Sequence, residues 1–232
     1  MQFISCHSGK IHRLGEKQWE EGARNFSLGL EAIDELLPRG FERGAIHELL
    51  MAPESGLPRF MGLLLAKAAM GDRAVVWCDP EHEVYPPAIA AAGLPLDKLY
   101  LLYPQNVIDE HWAVAECLRC KGVGATIATP QRLSHVQARR LQLAAEAGGG
   151  VGILLRAYDK NASIYAAATR WLIEPSPGER TIQRWKIQLI HGHGGRTHRP
   201  VYLECHREEH RVSATAQLAD RSLAPPAHVA TG

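Results

Sequence analysis

The sequence has almost no net charge to offer a partner. Its 232 residues carry 26 Lys and Arg against 25 Asp and Glu, a balance of +1. A chain that held nucleic acid along a whole face would need a large basic field, because phosphate neutralisation by Lys and Arg supplies most of that affinity. Contact with DNA must therefore be local or supplied by a partner. Long apolar runs are also missing. The stretches from Phe60 to Met70 and from Ala88 to Leu96 are interrupted by Lys67 and Pro95, and neither approaches the length of a bilayer span. Met1 to Lys10 lacks a basic start followed by an apolar block, so no secretory leader is expected and a cytoplasmic location is. Cysteines number five, an odd set that fits reduced thiols better than a disulfide framework.

Almost half of the residues are hydrophobic, 46%, enough for one α/β domain with a substantial core. Its centre is the stretch from Gly44 to Pro87, which reads as apolar strand, turn-rich loop, apolar helix, second apolar strand and acidic patch. That is the layout of a nucleotide-binding βαβ unit. A phosphate-binding loop in this place needs glycines, whose backbone N–H groups close around the phosphates, then Lys and Ser/Thr at the helix start. The loop here is Pro53, Glu54, Ser55, Gly56, Leu57, Pro58 and Arg59. Pro58 has no N–H to donate and Leu57 resists the positive φ that glycine supplies. The unit has the position of a nucleotide site without its chemistry, and no cofactor is expected.

The pattern along the chain predicts a polar arm over residues 1–25, one domain over 26–212 and a disordered Ala/Pro-rich tail over 213–232. Within the domain, apolar spacing predicts helices over 27–37, 59–70, 108–121 and 132–147, with a short helix over 84–93 broken near its start by Pro86 and Pro87. Strands are expected over 44–51, 74–78, 98–103, 123–128 and 148–155. A strand pair over 166–173 and 180–190 follows, then a last strand over 201–205. Glu48 inside the first strand reads as a carboxylate satisfied by hydrogen bonds. Cys117 and Cys120 form a C-x2-C without two further ligands, which reads as packing. Strand 123–128 contains no acid, although a magnesium-dependent NTPase needs a carboxylate there.

Several of these segments resemble RecA-like proteins. Ala52-Pro53-Glu54-Ser55 resembles the start of the RecA phosphate loop, and Asp79-Pro80-Glu81-His82 resembles the D-x-E-H after its next strand. The register continues through Leu94-Pro95-Leu96-Asp97-Lys98-Leu99. Within that group, the run from Ala138 to Gly149 and the segment Ala167-Ala168-Thr169-Arg170-Trp171 are most similar to the ImuA family. The resemblance covers roughly residues 25–210.

That resemblance implies a RecA-like core: a mostly parallel twisted sheet flanked by helices, with an antiparallel C-terminal extension. It implies an accessory role in error-prone translesion synthesis during the SOS response. The implied partners are a Y-family polymerase homologue (ImuB-like), RecA, and a DnaE-type error-prone polymerase. Glu81 matches the glutamate that orients water in the ATPases, here a vestige. Arg156 stands where RecA has its γ-phosphate sensor and is here a candidate contact residue for a partner or DNA. Tyr158 and Lys160 occupy a loop too short to follow single-stranded DNA, and a weak local DNA contact there stays open. Arg132, Arg139 and Arg140, with His135, give one helix a basic face, either solvated or for docking. His191, His193 and Arg196 lie in a His-rich turn that reads as a solvated hairpin, as a subunit-contact loop, or, with His193, His198 and His206 as ligands, as a weak metal candidate. The reading expects no metal, no membrane association and no ATP hydrolysis. Two alternatives stay open: a cell-division inhibitor like SulA that binds FtsZ, and an active RecA-like ATPase or recombinase mediator in which Arg59 replaces the lysine.

Overall fold

A computed structural model of the chain describes residues 24–51, 57–130, 133–158, 166–177, 182–197, 199–206 and 211–215. The expected arm up to residue 23, loop residues Pro53 to Gly56, Arg132, Lys160, His198 and the tail beyond 215 lie outside the described residues, as do the side chains of Leu57, Pro58 and His206.

Chain order is β1 (Asn25–Phe26), α1 (Glu31–Leu36), β2 (Phe41–Glu42), β3 (Ala45–Met51), α2 (Leu57–Met70), β4 (Ala74–Cys78), α3 (Pro86–Ala91), a 3-10 turn (Leu96–Lys98), β5 (Leu99–Leu102), α4 (Val107–Arg119), β6 (Val123–Ala128), α5 (His135–Gly148), β7 (Val151–Ala157), β8 (Thr169–Ser176), β9 (Ile182–Gly192), β10 (Val201–His206) and β11 (Arg211–Thr215). Among the described residues, nine strands form one sheet in the order β11-β10-β9-β8-β3-β7-β6-β4-β5. From β8 to β5 every neighbour pair is parallel. From β8 outward through β11 every pair is antiparallel. This is the mostly parallel core with an antiparallel C-terminal extension that the sequence implies.

The central strands are buried on both faces, as parallel strands under helices must be. β4 and β6 are buried at every position. One face packs α1 and α2 on Leu49, Val75, Trp77, Ile127, Ile153, Leu155 and Trp171. The other packs α4 and α5 on Ile46, Cys78, Ala128 and Leu154. Caps fix the helices on that second face. Asn106 accepts hydrogen bonds from the Ile108 and Asp109 N–H groups, both at 3.0 Å, with Asp109 and Glu110 in the first turn to complement the dipole. Ser134 and Gln137 form a reciprocal capping box, and Gly149 closes α5 at φ 67°. Gly148 permits close packing of α4 on α5, since a Cβ there would collide with the Leu118 carbonyl.

Three expectations need correction. The helix expected over 27–37 begins only at Glu31. Leu28 and Leu30 do pack on the core, but Gly29 sits at φ 78° and Asp34 accepts from the Leu28 and Gly29 N–H groups at 2.9 and 3.1 Å, a loop closed by its own carboxylate. Pro86 and Pro87 do not break the next helix. They occupy the first turn of α3, where a missing N–H costs nothing. Finally β11 runs to Thr215, so the sheet extends past the boundary expected at 212.

Candidate functional site

In open parallel sheets, ligands bind beyond the carboxyl ends of the strands. Here those ends are Met51 of β3, Cys78 of β4, Ala128 of β6 and Ala157 of β7. Arg59, in the first turn of α2, is held by an ion pair with Glu83, the two side chains being 48% and 51% exposed. Asp79 is buried and folds the chain after β4. Its carboxylate accepts from the Glu83 and Val84 N–H groups at 3.1 and 3.0 Å, and its own N–H donates to the Leu102 carbonyl at 2.8 Å. The turn it closes places His82 at φ 55°, with the imidazole stacked on Tyr103 at 4.1 Å between ring centres.

Glu81 projects to solvent from the same turn. Across from it, Glu110 of α4 is buried, and its Oε1 has no hydrogen-bond partner among the described residues. Burial first, and the Glu81 charge second, push the Glu110 carboxyl above its ordinary pKa. Cys78 feels the same field: burial, Glu110 and Asp79 raise its thiol to about 12, which makes it an inert packing residue. Of the three carboxylates, Glu81 alone is exposed; Asp79 and Glu110 are buried. β6 brings Thr126, whose Oγ1 is buried without a partner among the described residues, and ends at Ala128 with no acid to hold a metal's water shell.

A second polar cluster lies where β3, β7 and β8 adjoin. Glu48 is fully buried and sits between two guanidiniums, Arg156 at 2.9 Å and Arg170 at 2.7 Å. The register explains the meeting: Glu48 pairs with Arg170 across β3 and β8, and Leu50 with Arg156 across β3 and β7. Glu48 is the satisfied carboxylate that the sequence suggests. Arg156, expected as a contact residue, is instead 11% exposed and committed to Glu48. Arg170 was not singled out by sequence reasoning, although a charge in the apolar run of β8 is the signal that marks it.

On the opposite face of the same strands, His47 Nε2–H donates to the Glu42 carbonyl at 2.9 Å, and Nδ1 accepts from the Thr169 hydroxyl at 2.8 Å. Trp171 Nε1–H donates to that hydroxyl at 2.9 Å, completing the chain. Burial lowers His47 to about 4.

The remaining candidates are scattered. Tyr158 is half-buried and its N–H donates to the Met51 carbonyl at 2.8 Å. His191 lies opposite Arg170 in the β8–β9 register; burial, then His193 and Arg170, lower its pKa. His193 and Arg196 are exposed, and the Arg196 N–H donates to the Leu36 carbonyl at 2.8 Å, tying the His-rich turn to the end of α1. Among the described residues no group of three or more His, Cys, Asp or Glu is placed to hold a metal ion, and none of the helices is long and apolar enough to cross a membrane. Arg139 and Arg140 do come together on α5, where with Arg119, His135, Val136 and Leu143 they line a groove of about 500 Å³.

No family model matches the chain. It is similar to the protein ImuA of Caulobacter vibrioides, 27% identical over 223 residues that cover 85% of this chain and 91% of that protein. It is also similar to the cell division inhibitor SulA of Pectobacterium carotovorum, 26% identical over 134 residues, 57% of this chain and 78% of that one. Among solved structures, the RadB recombinase superposes with a TM-score of 0.62 at 14% identity, covering 82% of this chain and 99% of that one. The fold is RecA-like. The resemblance to the ImuA family seen in the motifs extends over most of the chain.

Proposed function

We propose that the chain is a RecA-like accessory protein of the SOS DNA-damage response that works through protein contacts, in the manner the ImuA resemblance implies, and does not hydrolyse ATP. The observation that carries this reading is the charge at the carboxyl ends of the strands. Arg59 is bound to Glu83, Asp79, Glu81 and Glu110 cluster at the carboxyl end of β4, residues 52–59 carry no lysine, and β6 ends at Ala128 instead of an acid. Phosphoryl transfer is mostly positioning and charge neutralisation, and this pocket supplies the wrong sign. What the fold retains is a rigid sheet with helices on both faces, which is a scaffold for docking. The partners that fit are a Y-family polymerase homologue, RecA, and a DnaE-type error-prone polymerase, in a complex that copies past lesions from the cytoplasm.

Two measurements test it. A fluorescent ATP analogue with magnesium is expected to show no saturable binding, with or without single-stranded DNA, and ATPase turnover is expected to stay at background. Micromolar binding with turnover lost on Glu81→Gln would move the ATPase reading to the front. Co-purification from its own host with a polymerase homologue is the positive test. The SulA similarity supports a second reading, a cell-division inhibitor that binds FtsZ, which predicts cell filamentation on overexpression; normal division would remove it.

A further inference from the structure

The chain as a whole is close to neutral, with a balance of +1. The groove beside α5 departs from that. Of its six lining residues, Arg119, Arg139, Arg140 and His135 can carry positive charge, Val136 and Leu143 are apolar, and none is acidic. α5 already buries Ala138, Leu141, Ala144 and Ala145 against the sheet, so its need for a core face is met. Yet Val136 is 80% exposed and Leu143 47% exposed on the outward side. They stand seven residues apart, about two turns or ~10.5 Å along the axis. Arg140 has no ion pair among the described residues. Arg119 pairs with Glu116 on its own helix, and Arg139 reaches Glu146 only at 3.9 Å. Exposed pairs of this kind contribute little and exchange partners at small cost.

We infer that this groove docks an amphipathic helical segment of a partner protein, one that presents apolar residues two turns apart to Val136 and Leu143 and flanking carboxylates to Arg119, Arg139 and Arg140. The inference rests on the adaptor reading above and gives it a surface. A helix laid in a groove binds through an apolar stripe of this spacing, and the cations select and orient an acidic one. Nucleic acid is the poorer fit: its phosphates would use the arginines but leave Val136 and Leu143 uncovered, and the groove is lined by no Phe, Tyr or Trp ring for a base to stack on. A second copy docking by the same face would bring arginines against arginines across the two-fold axis.

The test uses the full chain and a fluorescein-labelled model peptide, with leucines two turns apart and glutamates on both flanks, read by fluorescence anisotropy. Binding is expected in the micromolar range. It should weaken about tenfold or more in Val136→Asp and Leu143→Asp, as truncation of an interface anchor does, and it should fall with salt and in Arg140→Glu. All three positions are exposed, so melting temperature should not move. Equal binding of a scrambled peptide, displacement by a single-stranded oligonucleotide, or indifference to the two Asp variants overturns the inference. A photo-crosslinker at position 143 in damage-treated cells of the host should map to an acidic amphipathic segment of another protein; a crosslink to nucleic acid or to a second copy overturns it too. Damage-induced mutagenesis separates this from the underlying reading. Mutagenesis that needs the chain but survives both Asp variants sinks the groove alone, whereas mutagenesis that never needs the chain sinks the adaptor.

Discussion

Two charge clusters lie in the same sheet and have opposite characters. At β3, β7 and β8, Glu48 is buried between Arg156 and Arg170, with distances of 2.9 and 2.7 Å. Around β4 and α4, Asp79, Glu81 and Glu110 share one region, and Glu110 is pushed towards its neutral form. Among the described residues, Arg156 and Arg170 are bound to Glu48 and Arg59 to Glu83, so these guanidiniums are committed to structure. A buried ion cluster of this kind is best understood as a fixed joint between strands, costly to break and not necessarily stabilising as a whole. On the acidic side Glu110 is cheap to alter, because its Oε1 has no hydrogen-bond partner among the described residues.

The largest effect should come from breaking the paired cluster. Glu48→Gln leaves two buried guanidiniums without their carboxylate, and should cost about 3–5 kcal/mol, a fall in melting temperature of about 10 °C for a chain of this size. Replacing Glu48, Arg156 and Arg170 together by apolar residues of similar volume should recover most of that loss. If the single and triple variants melt alike, the cluster is not a joint but a set of independent residues.

Next is the neutral histidine under the same strands. With a folded pKa of about 4 against about 6.5 unfolded, His47 binds its proton more readily when the chain is unfolded. Its contribution is fully present above pH 6.5 and is lost as pH falls from 6.5 towards 4, by about 3 kcal/mol. Urea denaturation across that window should show the fall in the wild type and a flatter profile in His47→Gln. Glu110 opposes it. Its raised pKa means stability that is present at low pH and lost as pH rises, so Glu110→Gln should stabilise the chain at pH 8 by about 1 kcal/mol or less and bring no gain at pH 4. A Glu110→Gln variant that is destabilised at pH 8 would show that the acid has a cation partner.

How much of this was readable in the sequence follows from what each feature depends on. Strands 74–78 and 123–128 agree residue for residue with β4 and β6, because strands buried on both faces are continuous apolar runs. The missing acid of β6 was visible for the same reason. The start of α1 was not, since Leu28 and Leu30 keep helical spacing while Gly29 and Asp34 hold the backbone in a loop. The paired cluster was half legible. Glu48 announced itself as a charge in an apolar strand, but its partner Arg170 stands 122 residues away, and only the parallel register of β3 and β8 brings them together. Arg156 misled for the mirror reason: at the end of a strand, exposure depends on what lies beside it in the sheet.

The smallest expected effect is the most direct probe of the acidic side. Glu83→Gln frees Arg59, the one cation at the start of α2 beside the nucleotide position. The pair is about half exposed at both partners, so its loss should change stability by less than about 1 kcal/mol. If the released guanidinium could stand in for the missing lysine, an ATP analogue should begin to bind, because the scaffold, the helix and Glu81 are all in place. We expect it not to bind. Glu81 would still add negative charge at the end of β4, Pro58 would still lack an N–H, and β6 would still bring no carboxylate for magnesium. Saturable binding in Glu83→Gln alone would mean that a single ion pair, and not the composition of the whole pocket, keeps nucleotide out.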